Sequence, residues 1–186
     1  MSVPLQNADP MALECITLAL GWDPAPEPEV DVEAMLPVAA RIDLNIAALL
    51  FGGDRLLDVV YHEHLSSQDG SIRHTSDNLT GEGRGDSETI VAALGRISPA
   101  VTSVITIVTS YTAMPFEGIE NAYCRIDDAE SLIQIARFAL TGGPHTALVV
   151  GKLARTPAGW EFIGIGAGIP ATHVAEAVPY LAPYLP

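Results

Sequence analysis

Short apolar runs alternate along this chain with glycine, proline and acidic punctuation. In residues 41–51 (RIDLNIAALLF), Ile42, Leu44 and Ile46 fall on one face of a strand and Asp43 and Asn45 on the other, because side chains alternate along an extended backbone. Gly52-Gly53-Asp54 follows as a hairpin-type turn, and residues 56–64 return as a second strand. Residues 99–111 (PAVTSVITIVTSY) are dense in Val, Ile and Thr, which suit a pleated, half-buried surface. Further strands are predicted over 11–20, 122–126, 147–153 and 160–165, separated by turns such as Asp127-Asp128 and Thr156-Pro157-Ala158-Gly159. Residues 132–140 fit either a strand or a helix, since Leu132, Ile135, Ala136 and Ala139 also follow a 3.6 period. The tail, 171–184, reads as a short helix interrupted by Pro179 and Pro183. Gly164, Gly166 and Gly168 predict a bulge or a close backbone approach.

This spacing of strands and turns implies an all-β fold: a β-sandwich of mostly antiparallel strands with a short C-terminal helix. The 186 residues suit one domain spanning 1–186. Two stretches break the pattern. Residues 24–37 set Pro24, Pro26, Pro28 and Pro37 among Glu27, Glu29, Asp31 and Glu33, and read as an exposed extended loop. Residues 66–87 hold hardly any apolar side chain, and a loop of that length inside a compact domain is either functional or disordered.

Composition narrows the function. At 48% hydrophobic and 17% charged residues, the chain has enough apolar surface for a full core. Its net charge of −14 comes from 23 acidic against 9 basic residues, which argues against nucleic acid or anionic lipid as partners, both of which need Lys and Arg to neutralise phosphates. Cations are the natural partners that remain. No run of 18 apolar residues predicts a membrane span. The first residues, MSVPLQNADP, show no basic region leading into an apolar core, so a cytoplasmic location is expected. In that setting Cys15 and Cys124 are expected to be reduced core residues.

The candidate chemistry lies in residues 68–88, QDGSIRHTSDNLTGEGRGDSE. Oxygen donors crowd this stretch, among them Asp69, Asp77, Asn78, Glu82, Asp86 and Glu88, with Gly70, Gly81, Gly83 and Gly85 interleaved. Ca2+ takes six to eight such oxygens, whereas Mg2+ demands a strict octahedron that protein cages seldom supply. Glycine lets a short loop fold tightly around an ion. Asp77, Asn78, Glu82, Asp86 and Glu88 are the leading candidate ligands. Asp69 joins them, and Asp43 and Asn45 can support the loop from a neighbouring strand face. A competing reading uses His62 and His64, two apart on a strand and so on one side, with His74 as a third ligand. That trio would suit a transition metal in a metal-dependent hydrolase.

The run Gly21-Trp22-Asp23, then Asp43-Leu44-Asn45, then Asp69-Gly70-Ser71 and His74-Thr75-Ser76-Asp77-Asn78-Leu79-Thr80-Gly81-Glu82-Gly83, resembles the TerD family of tellurium-resistance and stress-response proteins of bacteria. The resemblance implies a β-sandwich that holds Ca2+ in an acidic loop and serves chemical-stress resistance. The expectation is therefore a non-enzymatic, calcium-binding module acting with unidentified protein partners of a stress-response complex. The chain departs from the family pattern at Asn45, at Glu63-His64, and at Arg84 and Ser87. Arg84 lies between Glu82 and Asp86 and can neutralise carboxylates that a second ion would bridge, so one calcium per chain is expected rather than two.

Overall fold

The computed structural model describes residues 2–4, 13–23, 42–76, 86–140 and 142–185. Among these residues eleven strands form two sheets, and every pairing between them is antiparallel. The first sheet holds β1 (Ser2–Pro4), β3 (Leu44–Gly52), β4 (Arg55–Val60), β7 (Ser103–Ser110), β10 (Ala147–Thr156) and β11 (Gly159–Ile169), in the order β1-β11-β10-β7-β3-β4. The second holds β2 (Cys15–Gly21), β5 (Ile72–Ser76), β6 (Glu88–Ala93), β8 (Tyr123–Asp128) and β9 (Gln134–Ala139), in the order β5-β6-β2-β8-β9. The sandwich expected from the sequence is the observed fold.

The main core lies between the sheets, where Leu18, Leu20, Ile90 and Ile126 meet Leu44, Ile46, Val104 and Phe162. A second apolar cluster covers the other face of the six-stranded sheet. There Leu49, Phe51, Ile107 and Val149 pack under Val174, Ala177 and Leu181 of the C-terminal tail. This is why β3 and β7 are apolar on both faces: each is covered twice. The tail contains one helical turn, α1 (Val174–Ala177), capped by the His173 side chain, and then 3-10 turns at Val178–Tyr180 and Ala182–Tyr184. Pro179 and Pro183 sit inside those turns and limit the α-helix to four residues.

Several expectations change. Residues 132–140 form a strand, not a helix, at the edge of the second sheet. The strand expected over 56–64 stops at Val60, and Tyr61 and His64 close a tight turn through reciprocal backbone bonds of 3.1 and 3.0 Å. The polar stretch 66–87 is not one loop, because β5 runs through it. β5 and β6 escape the sequence pattern because buried positions are taken by polar side chains, His74 in β5 and Glu88 in β6. The glycines of β11 behave as expected. Ile165 and Gly166, the latter at φ +70°, bulge opposite Val150, and a Cβ on Gly168 would lie 2.2 Å from His145 Nδ1. Cys124 is buried, with its thiol pushed up to about 12 by burial, while Cys15 is only half-buried; both are free. The proline-rich stretch 24–37 lies outside the described residues. Among the described residues no helix is long and apolar enough to cross a membrane.

Candidate functional site

At one end of the sandwich β2 finishes while β6 and β8 begin, with Leu20 paired to both Glu88 and Cys124. The chain enters β6 through Asp86 and Ser87, and the Ser87 amide fixes this entry by donating to the Leu20 carbonyl at 2.8 Å. Glu88 then turns inward and is fully buried. Its Oε2 accepts the Ile46 amide of the opposite sheet at 2.7 Å and lies 3.4 Å from Nε2 of the buried His74. A buried carboxylate needs such donors to offset its lost hydration. Glu88 thus links the two sheets at the site end.

Asp86 points the other way, onto the outer face of the five-stranded sheet. The Tyr123 hydroxyl donates to its Oδ1 at 3.0 Å and Arg125 Nη2 to its Oδ2 at 2.6 Å. Tyr123, Arg125 and Asp127 share that face because they alternate along β8. Arg125 Nε also lies 3.0 Å from Asp127 Oδ2, an ion pair without hydrogen-bond alignment. Among the described residues the other Asp127 oxygen, which is buried, has no hydrogen-bond donor. Burial pushes the Asp127 carboxyl up; Arg125 opposes this and Asp86 adds to it. The Tyr123 ring fits only because residue 21 is glycine: a Cβ there would lie 2.5 Å from the phenol carbon and oxygen. Arg137 covers the same ring, with its guanidinium carbon 3.6 Å from the centroid. Burial raises the Tyr123 hydroxyl above its ordinary pKa, and Asp86 raises it further. At the same end, Asp23 accepts a bond from the Asn121 side chain.

The structure separates the sequence-predicted residues. Asp86 and Glu88 stand at this end. Asp43 and Asn45 lie at the start of β3, bonded to each other at 3.1 Å. Asn45 is buried, and by strand alternation it faces away from the five-stranded sheet. Asp69 lies at the opposite end of the sandwich. It precedes β5, whose first residue pairs with Ala92 near the far end of β6, four residues or roughly 13 Å of strand from Glu88. Asp69 is also fully engaged: Oδ1 accepts from the Ser67 hydroxyl (2.7 Å) and from the Ser71 amide (2.9 Å) and hydroxyl (2.6 Å), while Oδ2 accepts the Ser98 amide (2.9 Å). Burial pushes this carboxyl up, but the hydrogen bonds from Ser71, Ser67 and Ser98 outweigh it and hold the pKa well below the usual range. Asp77, Asn78, Glu82 and Arg84 lie outside the described residues.

The three histidines do not converge. His74 is buried against Glu88. His64 Nδ1 contacts the Val59 carbonyl at 2.6 Å and borders a cleft of about 640 Å³ between β4 and α1, lined also by Tyr61, His173 and Val174. His62 packs edge-on against Tyr61 and Tyr111. Among the described residues no three His, Cys, Asp or Glu side chains are grouped as a metal ion requires. The donors at the β6 entry are nonetheless oxygens, the chemistry a hard cation takes. Of Asp86 and Glu88, only Asp86 reaches solvent, with 20% of its side chain exposed. Sequence reasoning missed Tyr123, Arg125 and Asp127. Their signal was a polar residue at every second position of a strand that otherwise reads as core.

An antiparallel sandwich with an oxygen-rich end beside a glycine-rich acidic stretch defines the class. The TerD domain family matches residues 1–177, and the chain belongs to it. It is 33% identical to tellurium resistance protein TerZ of Serratia marcescens over 83% of this chain and 80% of that one. It is 29% identical to tellurium resistance protein TerD of the same organism over 90% and 86%, and 26% identical to stress response protein SCP2 of Bacillus subtilis over 89% and 88%. The crystal structure of a homologue of telluride resistance protein (TerD) from Streptomyces coelicolor superposes with a TM-score of 0.73 at 24% identity, covering 89% of this chain and 96% of that one. That likeness establishes the fold. The relatives are named for resistance and stress response, and none of these names describes a catalysed reaction.

Proposed function

We propose that this protein is a calcium-binding, non-enzymatic stress-response module of the cytoplasm. Asp77, Asn78 and Glu82 supply ligands together with Asp86, and Glu88 braces the entry to β6 from within. Asp43 and Asn45 support the same end from β3, while Asp69 serves the fold as a turn clamp. Ion occupancy shapes a surface for protein partners of a stress-response complex. The observation that supports the reading is the placement of Asp86, a carboxylate 20% exposed at the end of the sandwich, directly after the glycine-rich acidic stretch. The names of the relatives support the stress-response role.

Carboxylates gathered at one end repel each other, and a bound cation reverses that repulsion. Native-state binding adds RT ln(1 + [L]/Kd), about 2.7 kcal/mol at a hundredfold excess over Kd. Chelator should therefore lower the melting temperature, and calcium should restore it where equal magnesium does not. Identical melting curves in chelator, calcium and magnesium would remove calcium as the ligand. Elemental analysis finding stoichiometric zinc would point instead to transition-metal chemistry.

A further inference from the structure

We propose that the cleft between β4 and α1 binds a small hydrophobic amine, its apolar body against Leu56, Val59, Val174 and Val178 and its ammonium group on the side of Asp58 and His64. This site is separate from the acidic end of the sandwich and does not depend on the calcium reading.

The cleft exists because the C-terminal tail covers the six-stranded sheet unevenly. Val174 and Ala177 are buried against the inner strands, whereas Leu56, Val59 and Tyr61 at the β4 edge are only partly buried. Between them remains a space of about 640 Å³, within the range of about 300–1,000 Å³ that small-molecule sites occupy. A partner strand is a poor occupant, because the edge of β4 is already engaged here. The Val59 amide donates to Asp58 Oδ1 at 2.9 Å, and the Val59 carbonyl accepts from His64 Nδ1 at 2.6 Å. Strand addition requires those backbone groups to be free.

The polar groups select the head group. A carbonyl only accepts, so His64 Nδ1 carries the hydrogen, and the neutral ring keeps its lone pair on Nε2. His173 Nδ1 accepts the Ala175 amide at 3.2 Å, an arrangement of the neutral ring with its hydrogen on Nε2. Asp58 lines the cleft, and Glu63 stands beside it, accepting the Tyr61 hydroxyl at 3.1 Å. Among the described residues neither carboxylate is paired with a Lys or Arg, in contrast to Asp86, and no Lys or Arg lines the cleft. The cleft therefore offers acceptors and negative charge. A primary ammonium matches it, as a compact cation with three donors and no acceptor. A carboxylate head group would face like charge instead.

NMR titration of the full chain in chelator tests this with hexylammonium chloride, 1-hexanol and sodium hexanoate, read at the amide signals of Val59, His64 and Ala175. Hexylammonium should give saturable shifts at these residues. Hexanol keeps the apolar body and loses the charge, and should bind about fivefold more weakly, the effect of one partly exposed ion pair. Hexanoate should bind more weakly still. Glu63→Gln removes a charge beside the cleft and should weaken hexylammonium about twofold. Ala175→Trp fills the cleft from an exposed position without altering any charge. It should weaken hexylammonium about tenfold or more, the worth of roughly two buried methylenes. Equal binding of hexanol and hexylammonium, or tighter binding of hexanoate, would overturn the amine assignment. Shifts that persist in Ala175→Trp would mean that the amine follows the net charge of −14 rather than the cleft, and would overturn the site. Should Ala175→Trp fail to fold, unchanged hexylammonium affinity in both Glu63→Gln and Asp58→Asn would do the same. No saturable shift with any of the three probes would also overturn the proposal, in favour of a protein occupant.

Discussion

Asp69 and Asp86 come from the same acidic, glycine-rich stretch, yet they are held in opposite ways. Asp69 is fixed mainly by neighbours: Ser67 and Ser71 lie two residues away on either side, and the Ser71 amide makes the turn that short Asx side chains favour. Gly70 supplies the positive φ of +68° that this turn requires. Asp86 is fixed by residues 37 and 39 positions along the chain, on a strand that reaches it only because β2 lies between β6 and β8. Neutral donors surround the first carboxylate, and a guanidinium binds the second. A hydrogen-bonded turn of serines is held by neutral donors, whereas a partly exposed ion pair is weakened by salt. Two acidic residues of similar sequence context therefore differ in what they can do.

That contrast can be tested at three points. The largest effect is expected at Glu88, which ties the two sheets together at the end where Asp86 stands. Glu88→Ala leaves the buried Ile46 amide without its acceptor and should cost about 3 kcal/mol in chemical denaturation. A loss under about 1 kcal/mol would mean that the amide finds another partner and that Glu88 does not hold the sheets together at this end.

Asp69→Ala comes next, with an expected loss of about 1–2 kcal/mol, kept modest because the side chain is largely exposed. The sign of its pH dependence follows from the depressed pKa. A carboxyl held below its unfolded value contributes stability that is complete above that value, roughly 3.9, and is lost as pH falls through and below it. The stability gap between the unaltered protein and Asp69→Ala should therefore be widest near neutrality and close as pH drops below about 4. A gap that stays constant between about pH 7 and 3 would show that the carboxylate's charge is irrelevant to the clamp.

The smallest effect is expected at the Arg125–Asp86 pair. In chelator, Arg125→Gln should lose about 0.5–1 kcal/mol, and that loss should shrink in molar salt as the partly exposed pair is screened. The Asp69→Ala loss, arising from hydrogen bonds to neutral donors, should be nearly salt-independent. Equal salt sensitivity at both sites would erase the distinction.

Much of the molecule was legible from local pattern. Ile42, Leu44 and Ile46 alternating with Asp43 and Asn45 revealed β3 and its faces, and Gly166 signalled a bulge. The motif from His74 to Gly83 pointed to the TerD family. The clamp at Asp69 was written within five residues, although its acidic side chain reads equally well as an ion ligand. Besides the three-residue β1, the strands β5 and β6 escaped notice, because a buried His74 and a buried Glu88 occupy positions where the pattern calls for apolar residues.

Sequence alone determined the class of fold, the acidic balance and the family, because strand period, turn chemistry and motif all act between residues a few positions apart. Only the tertiary structure decided which carboxylate meets which donor. Sheet order brings Arg125 to Asp86, and the packing of one sheet on the other carries the Ile46 amide to Glu88. The C-terminal tail likewise closes over the outer face of the six-stranded sheet, and so buries β3 and β7 on both sides. These pairings join residues 39, 42 and more than 60 positions apart, a range over which side-chain periodicity carries no information about proximity.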